Sequence, residues 1–262
     1  MFTSLVEFAA GMGSGVGGGL LAGLFGIGGG LVLIPLLAFC LKLEQHQAQG
    51  ITLAALLLPN GLPAVLHYRR RGVPIHWPLV GFLICGFMSG VWSGAKTALH
   101  IPSGPLRMIF FVMLLVLAAR MYFQGSGHDQ AESASPPPAT RDVWLPGFLI
   151  GLVGGFASGL MGIGGAILMN PLLVWRFRMP QHQAQLACLA MMLPPIGLPG
   201  VLVYAQSHKG LPWMILAGLA VGFLAGSYGG ARIATRVKGA QLRKGFAGLM
   251  VLMAGLLLVR GL

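Results

Sequence analysis

Two glycine-rich stretches carry the residues best suited to bind a small charged group. The first runs from Gly23 to Gly30 and is followed by Pro35, and the second runs from Gly159 to Ala166 and is followed by Pro171. Because glycine and proline disfavour a continuous helix, each stretch predicts a break between two helical segments. A break leaves free backbone N–H groups at the start of the next helix, and with the helix dipole these favour an anion. The alternative is that the glycines only allow close helix packing. The candidate substrate-binding residues here are Gly26, Gly28, Gly29, Gly30, Pro35, Gly162, Gly164, Gly165 and Pro171.

A second repeated motif adds neutral polar side chains. The sequence Gln-His-Gln-Ala-Gln occupies residues 45–49 and recurs unchanged at residues 181–185. If it begins a helix, its histidine and last glutamine share a face and can donate hydrogen bonds to an oxyanion without fixing a charge. The alternative is a polar helix start at the membrane interface. Asn60, at an expected kink, lines a polar cavity or bonds a neighbouring helix. The candidate substrate-binding residues in this group are His46, Gln49, Thr52, Asn60, His182, Gln185 and Cys188.

The sequence lacks the residues that several kinds of chemistry require. Glu7 is the only acid inside an apolar segment, and no acid follows Asp142. A cation path, a carboxylate proton relay or a magnesium or calcium site needs such acids. The glycine stretches lack the Gly-Lys-Ser/Thr ending of a nucleotide-binding loop, and no metalloprotease or serine-hydrolase motif occurs. We therefore expect no metal, no cofactor, no catalytic residues and no enzymatic activity.

Composition indicates a membrane protein. Of the 262 residues, 56% are hydrophobic and only 8% are charged, whereas a soluble domain carries about a quarter charged residues. Most of the basic residues behind the net charge of +12 lie in short loops between apolar runs. The positive-inside rule explains that placement, so the lipid bilayer and not a nucleic acid is the expected partner.

Ten apolar segments predict an all-α, polytopic membrane protein. They lie at about residues 4–24, 27–42, 48–68, 75–95, 105–122, 144–161, 163–175, 184–204, 211–231 and 241–259. A polar, proline-rich linker at residues 123–143 separates the two sets of five. We interpret residues 1–262 as one transmembrane domain with repeat 1 at 1–122 and repeat 2 at 144–262.

The two sets repeat one another at an offset of 136 residues. The glycine stretches, the prolines and the Gln-His-Gln-Ala-Gln motif all keep this offset. Two glycine trios also match, and their spacing of four predicts a smooth ridge along one helix face. These trios are Gly15, Gly19 and Gly23, and Gly151, Gly155 and Gly159.

The charges bear on how the repeats are oriented. With five crossings in each half, 12 basic residues fall on the side of Arg69–Arg71 and 5 on the other. That bias predicts inverted repeats with broken helices and both termini outside. Three full crossings and one re-entrant hairpin in each half give the same parity, so both versions stay open.

The doubled glycine break, the following proline and the His-x-Ala helix start resemble the TauE/SafE family of sulfite exporters over about residues 10–260. The resemblance implies a multi-pass transporter of the bacterial inner membrane for sulfite or related sulfur anions and organosulfonates. It also implies that the two glycine stretches with Pro35 and Pro171 form the substrate centre. Where the family often has Thr-Ser, this chain has Thr52-Leu53 and Cys188-Leu189, so fewer hydroxyls are available to an oxyanion.

The sequence therefore favours a secondary transporter or exporter of a small anion. The substrate would lie between the repeats, near the middle of the membrane, and the halves would alternate its access to the two sides. Two other functions remain open. One is a non-transporting scaffold or partner subunit with a solid apolar core between the halves, and the other is an anion channel.

Overall fold

The computed structural model describes residues 2–25, 30–41, 43–55, 57, 65, 74–123, 140–206, 212–234, 245 and 247–255. All regular secondary structure in these residues is helical. The helices are α1 (Phe2–Phe25), α2 (Gly30–Cys40), α3 (Gln45–Ala55), α4 (Trp77–His100), α5 (Ser103–Phe123), α6 (Thr140–Met161), α7 (Ala166–Phe177), α8 (Gln181–Met191), α9 (Leu198–Ala205) and α10 (Trp213–Ala234). Residues 247–255 add a further helical stretch.

Four of the described helices are long and apolar enough to cross a membrane. The apolar stretches are Leu5–Gly23 in α1, Trp77–His100 in α4, Val143–Met161 in α6 and Trp213–Gly230 in α10. A span needs about 20 such residues. The apolar parts of α2 and α5 are shorter. For the described residues, these helices confirm the prediction of an all-helical, multi-pass membrane protein.

These four long helices pack as two close pairs, α1 with α10 and α4 with α6. Glycines make the pairs close, because backbone lies directly on backbone. A Cβ added at Gly19 of α1 would lie 2.9 Å from the Cα of Phe223, and one added at Gly155 of α6 would lie 2.8 Å from the Cα of Phe87. Gly19 and Gly155 are equivalent in the repeat, as are Phe223 and Phe87.

The contacts advance along both helices of a pair in the same direction, so the paired helices are parallel. In the first pair Gly11, Gly15 and Gly19 meet positions 215, 219 and 223 of α10 in that order. The predicted glycine ridges are confirmed where a glycine lies against the backbone of the facing helix. These glycines are Gly15, Gly19, Gly151, Gly155 and Gly159. The partner helices carry matching glycines, namely Gly86, Gly90, Gly94, Gly218, Gly222 and Gly226. Each pair therefore takes one helix from each half of the sequence.

Two hydrophobic clusters fill the interior, and each draws on both halves of the chain. The first lies mainly among α1, α2, α3, α5, α9, α10 and residues 247–255, with Leu33 and Phe223 fully buried. The second lies among α4, α6, α7 and α8, with Phe87 and Met191 fully buried. Ile163 of the second glycine stretch belongs to the first cluster, whereas Met169 of the following helix α7 belongs to the second.

Several boundaries differ from those expected, among them the end of α4, which lies at His100 rather than at residue 95. The apolar segment at residues 184–204 is divided into α8 and α9, because Pro194 and Pro195 cannot continue a helix and disfavour the helical conformation before them. Helix α6 begins at Thr140 rather than at residue 144. The segment expected at 48–68 is described as a helix only as far as Ala55, and most of its remainder lies outside the described residues.

Candidate functional site

The second glycine stretch breaks the chain between two helices, as its composition predicts. Helix α6 ends at Met161 and α7 begins at Ala166. Gly162 and Gly164 in between both have a φ of 74°, which is in the left-handed region that only glycine adopts without strain. No side chain caps the first turn of α7. The N–H of Leu168 is bonded to the carbonyl oxygen of Gly165, and the remaining N–H groups of the first turn give this helix start a preference for negative charge.

The first glycine stretch lies against the second. Helix α1 ends at Phe25 and α2 begins at Gly30, while Gly26, Gly28 and Gly29 lie outside the described residues. A Cβ added at Gly30 would lie 2.6 Å from the carbonyl oxygen of Ile163. The start of α2 thus rests on the backbone of the α6–α7 break, in the interior of the molecule.

Gln49 joins this meeting point from α3. Its side chain is fully buried, and its Nε2 donates a hydrogen bond to the carbonyl oxygen of Leu160 at 3.0 Å. The hydroxyl of Tyr204 in α9 lies 3.1 Å from Gln49 Oε1 and 2.8 Å from the carbonyl oxygen of Gly159. A Cβ added at Gly162 would lie 2.8 Å from the Cα of Gln49. Gln49 therefore braces α3 against the end of α6 and against α9.

The other polar candidates of the first half take different positions. Thr52 is buried, and its hydroxyl donates to the carbonyl oxygen of Ala48 at 2.7 Å within the same helix. His46 is half-buried at the start of α3, and Pro35 is buried inside α2. Asn60 lies outside the described residues. Of this group, Gln49 is the residue whose contact with the α6–α7 break the structure shows.

The equivalent residues of the second half are less enclosed. Gln185 in α8 is half-buried, as is Pro171 inside α7. Cys188 is buried in the cluster of α4, α6, α7 and α8. The backbone of His182 is part of α8, but its side chain is outside the described part of the chain. The repeat in sequence is thus not matched by equal environments in the structure.

Three residues that the sequence reasoning did not select carry notable polar groups. Tyr204 forms the bonds described above. Gln45 is 1% exposed, and neither heteroatom of its carboxamide has a hydrogen-bond partner among the described residues. Ser158 is fully buried, and its hydroxyl likewise lacks a partner there. A signal for Ser158 was available, because Gly154 and Ser158 are spaced by four and place two small residues on one face of α6.

In the part of the chain that the structure describes, no group of three or more His, Cys, Asp or Glu side chains is placed to hold a metal ion. What the site does offer is backbone dipoles, carboxamides and a hydroxyl. Such groups bind an anion by donating hydrogen bonds.

Comparison with known proteins shows a family to which the sequence of this chain is similar. The family model described as sulfite exporter TauE/SafE matches residues 11–257. A probable membrane transporter protein of Bacillus subtilis is 25% identical over 248 residues, which cover 92% of this chain and 96% of that protein. One from Haemophilus influenzae is 28% identical over 90% of this chain and 92% of its own length. One from Xylella fastidiosa is 27% identical over 86% and 84%. No solved structure matches significantly.

Proposed function

Because this chain belongs to the sulfite exporter TauE/SafE family, we propose that it is a secondary transporter that carries a small sulfur oxyanion such as sulfite across the bacterial inner membrane. Membership of the family and the four apolar spans make it a multi-pass protein of a membrane transporter family. The substrate, the mechanism and the membrane in which it works are the proposed parts.

One observation carries the proposal. The break between α6 and α7 and the start of α2 come from different halves of the chain, and they lie in backbone contact at Gly30 and Ile163. Helix N-termini in a bilayer interior have no water to satisfy their N–H groups. Two such termini brought together form an anion site of the kind found at the centre of transporters with broken helices.

The charge of the chain supports an anion over a cation. Half-helix N-termini each contribute about half a positive charge, and the sequence has no acid after Asp142. An anion held by dipoles and neutral hydrogen-bond donors can also leave again, because no fixed ion pair has to be broken. We assign the substrate contacts to the sixteen candidate residues of the glycine stretches and of the repeated helix starts.

We propose further that the halves are inverted in the membrane. In support, α9 runs antiparallel to α3: Gly197 lies by the carbonyl oxygen of Leu53, whereas Tyr204 lies by Gln49. We take α9 to continue in the direction of α8, the repeat equivalent of α3, so that the antiparallel contact of α3 with α9 fits inverted halves. Alternating access then takes the form of a movement between the two hydrophobic clusters, each of which contains helices from both halves.

A flux assay tests the function. Purified protein in proteoliposomes should take up sulfite faster than empty vesicles, with saturation and with counterflow against internal sulfite. Gly164→Leu should abolish this flux, because its backbone has a φ of 74° in the break. Gly229→Leu is the matched control, because a Cβ there has nothing within 4 Å. The absence of flux of sulfite, thiosulfate and sulfonates would refute the proposal, and flux without saturation or counterflow would indicate a channel instead.

A further inference from the structure

A small cavity adjoins the α6–α7 break. It has a volume of about 10 Å³, which is the space of roughly one water molecule. Its walls are Leu53, Phe87, Ser158, Gly164, Met192, Ile196 and Gly197. Residues from α3, α4 and α6 and from the α8–α9 turn thus converge on Gly164.

Ser158 supplies the one side-chain hydroxyl in this wall. It is fully buried, and its Oγ has no hydrogen-bond partner among the described residues. Other helical hydroxyls behave differently: Thr52 and Ser89 donate to the carbonyl oxygen four residues earlier. A buried hydroxyl without a partner costs about 1–3 kcal/mol. Natural proteins keep such a group where water or a ligand completes its bonding.

The hydroxyl and the start of α7 are held together by the backbone. The N–H of Gly162 donates to the carbonyl oxygen of Ser158 at 2.6 Å, and Gly164 lines the same cavity as the serine side chain. Helix α7 has 12 residues and no side-chain cap on its first turn. A buried hydroxyl without a partner and Gly164, the residue before the N-cap of α7, therefore line the same cavity.

We propose that Ser158 is a specificity-determining residue whose Oγ donates a hydrogen bond to one oxygen of the transported anion. This inference rests on the proposed function and deepens it. The cavity has room for about one oxygen atom. The other side chains in its wall are apolar, so Ser158 is the one side chain there that can donate a hydrogen bond to an oxygen of the anion.

Ser158→Ala tests the inference, with Ser89→Ala as the matched control. Ser89 undergoes the same chemical change on an exposed part of α4. In proteoliposomes Ser158→Ala should raise the KM for sulfite about tenfold or more, as expected for a lost hydrogen bond to a charged group. The maximal rate should change much less, and Ser89→Ala should leave both values unchanged.

Thermal unfolding separates this role from a structural one. Without ligand, Ser158→Ala should unfold at or above the wild-type temperature, because the hydroxyl has no partner to lose. Added sulfite should stabilise the wild type and stabilise the variant less. A fall in the ligand-free unfolding temperature with an unchanged KM would show that the hydroxyl serves the fold and would overturn the inference. If the alanine variant does not fold, Ser158→Cys, which fills the site with a slightly larger group and a weaker donor, should raise the KM in the same way.

The outcomes distinguish the inference from the proposed function. Saturable sulfite transport by the wild type together with a KM within about twofold in Ser158→Ala would overturn the inference and leave the function standing. Wild-type protein that neither transports nor is stabilised by sulfite would overturn both.

Discussion

The close packing of α1 on α10 can be tested at a single glycine. A Cβ at Gly19 would lie 2.9 Å from the Cα of Phe223, whereas ordinary contact begins at 3.4 Å. Gly19→Ala therefore forces the two backbones apart by at least about 0.5 Å. A gap of 0.5–1 Å forfeits about a quarter to a half of the dispersion well for the neighbouring atoms. Overpacking of this kind costs about 1–3 kcal/mol.

The control lies in the same helix. A Cβ at Gly13 would meet nothing within 4 Å, so Gly13→Ala gains only helix propensity, about 0.5–1 kcal/mol. The two substitutions are chemically identical, and we expect them to move the stability in opposite directions. At about 2–4 °C per kcal/mol, the unfolding temperature in detergent should fall for Gly19→Ala and rise for Gly13→Ala.

The repeat provides a second copy of the experiment. Gly155→Ala places a Cβ 2.8 Å from the Cα of Phe87 and should destabilise α6 against α4 to a similar extent. Equal unfolding temperatures for Gly19→Ala and Gly13→Ala would refute the reasoning, because they would mean that the face of α1 that carries Gly19 does not touch α10. A loss confined to one of the two pairs would refute the equivalence of the repeats.

Three further predictions concern the polar contacts, the break and the orientation. Tyr204→Phe removes the hydroxyl shared by Gln49 and Gly159, so we expect the free energy of unfolding to fall by about 1–2 kcal/mol. In the double variant with Gln49→Leu, the total loss should be smaller than the sum of the two single losses. Losses that simply add would argue against the hydrogen bond between Tyr204 and Gln49. Gly162→Ala should cost about 1–2 kcal/mol through its positive φ and about 1–3 kcal/mol more because a Cβ would lie 2.8 Å from the Cα of Gln49. A wild-type unfolding temperature would contradict both that conformation and that contact. In a variant without native cysteines, a membrane-impermeant maleimide should label Lys96→Cys and Arg232→Cys from opposite sides, and labelling from one side would exclude inverted halves.

The sequence predicted the helical class, the second break and the glycine ridges, because each depends on local chemistry that repeats at a fixed offset. Gly162 and Gly164 break the helix through their own backbone freedom, whatever surrounds them. The ridge of Gly151 and Gly155 follows from a spacing of four. Such features need no knowledge of which helices are neighbours.

What the sequence did not predict depends on partners far along the chain. Tyr204 and Gln49 are 155 positions apart, and nothing in either segment indicates that they meet. Ser158 was overlooked because a serine among glycines reads as a small packing residue. Its importance comes from the lack of a nearby acceptor, which only the fold determines. The sequence analysis predicted one segment at residues 184–204 because the stretch is mostly apolar, although Pro194 and Pro195 lie within it.

The pairing of α1 with α10 also has a consequence for biogenesis. Gly11 packs on Ile215, which lies 204 positions later in the chain, so α1 is synthesised long before the helix that completes its interface. Membrane helices insert before they associate, and α1 must therefore wait in lipid with its glycine face uncovered until α10 arrives. A chain that is truncated before Trp213 would present that face permanently, and we expect the cell's membrane proteases to remove it.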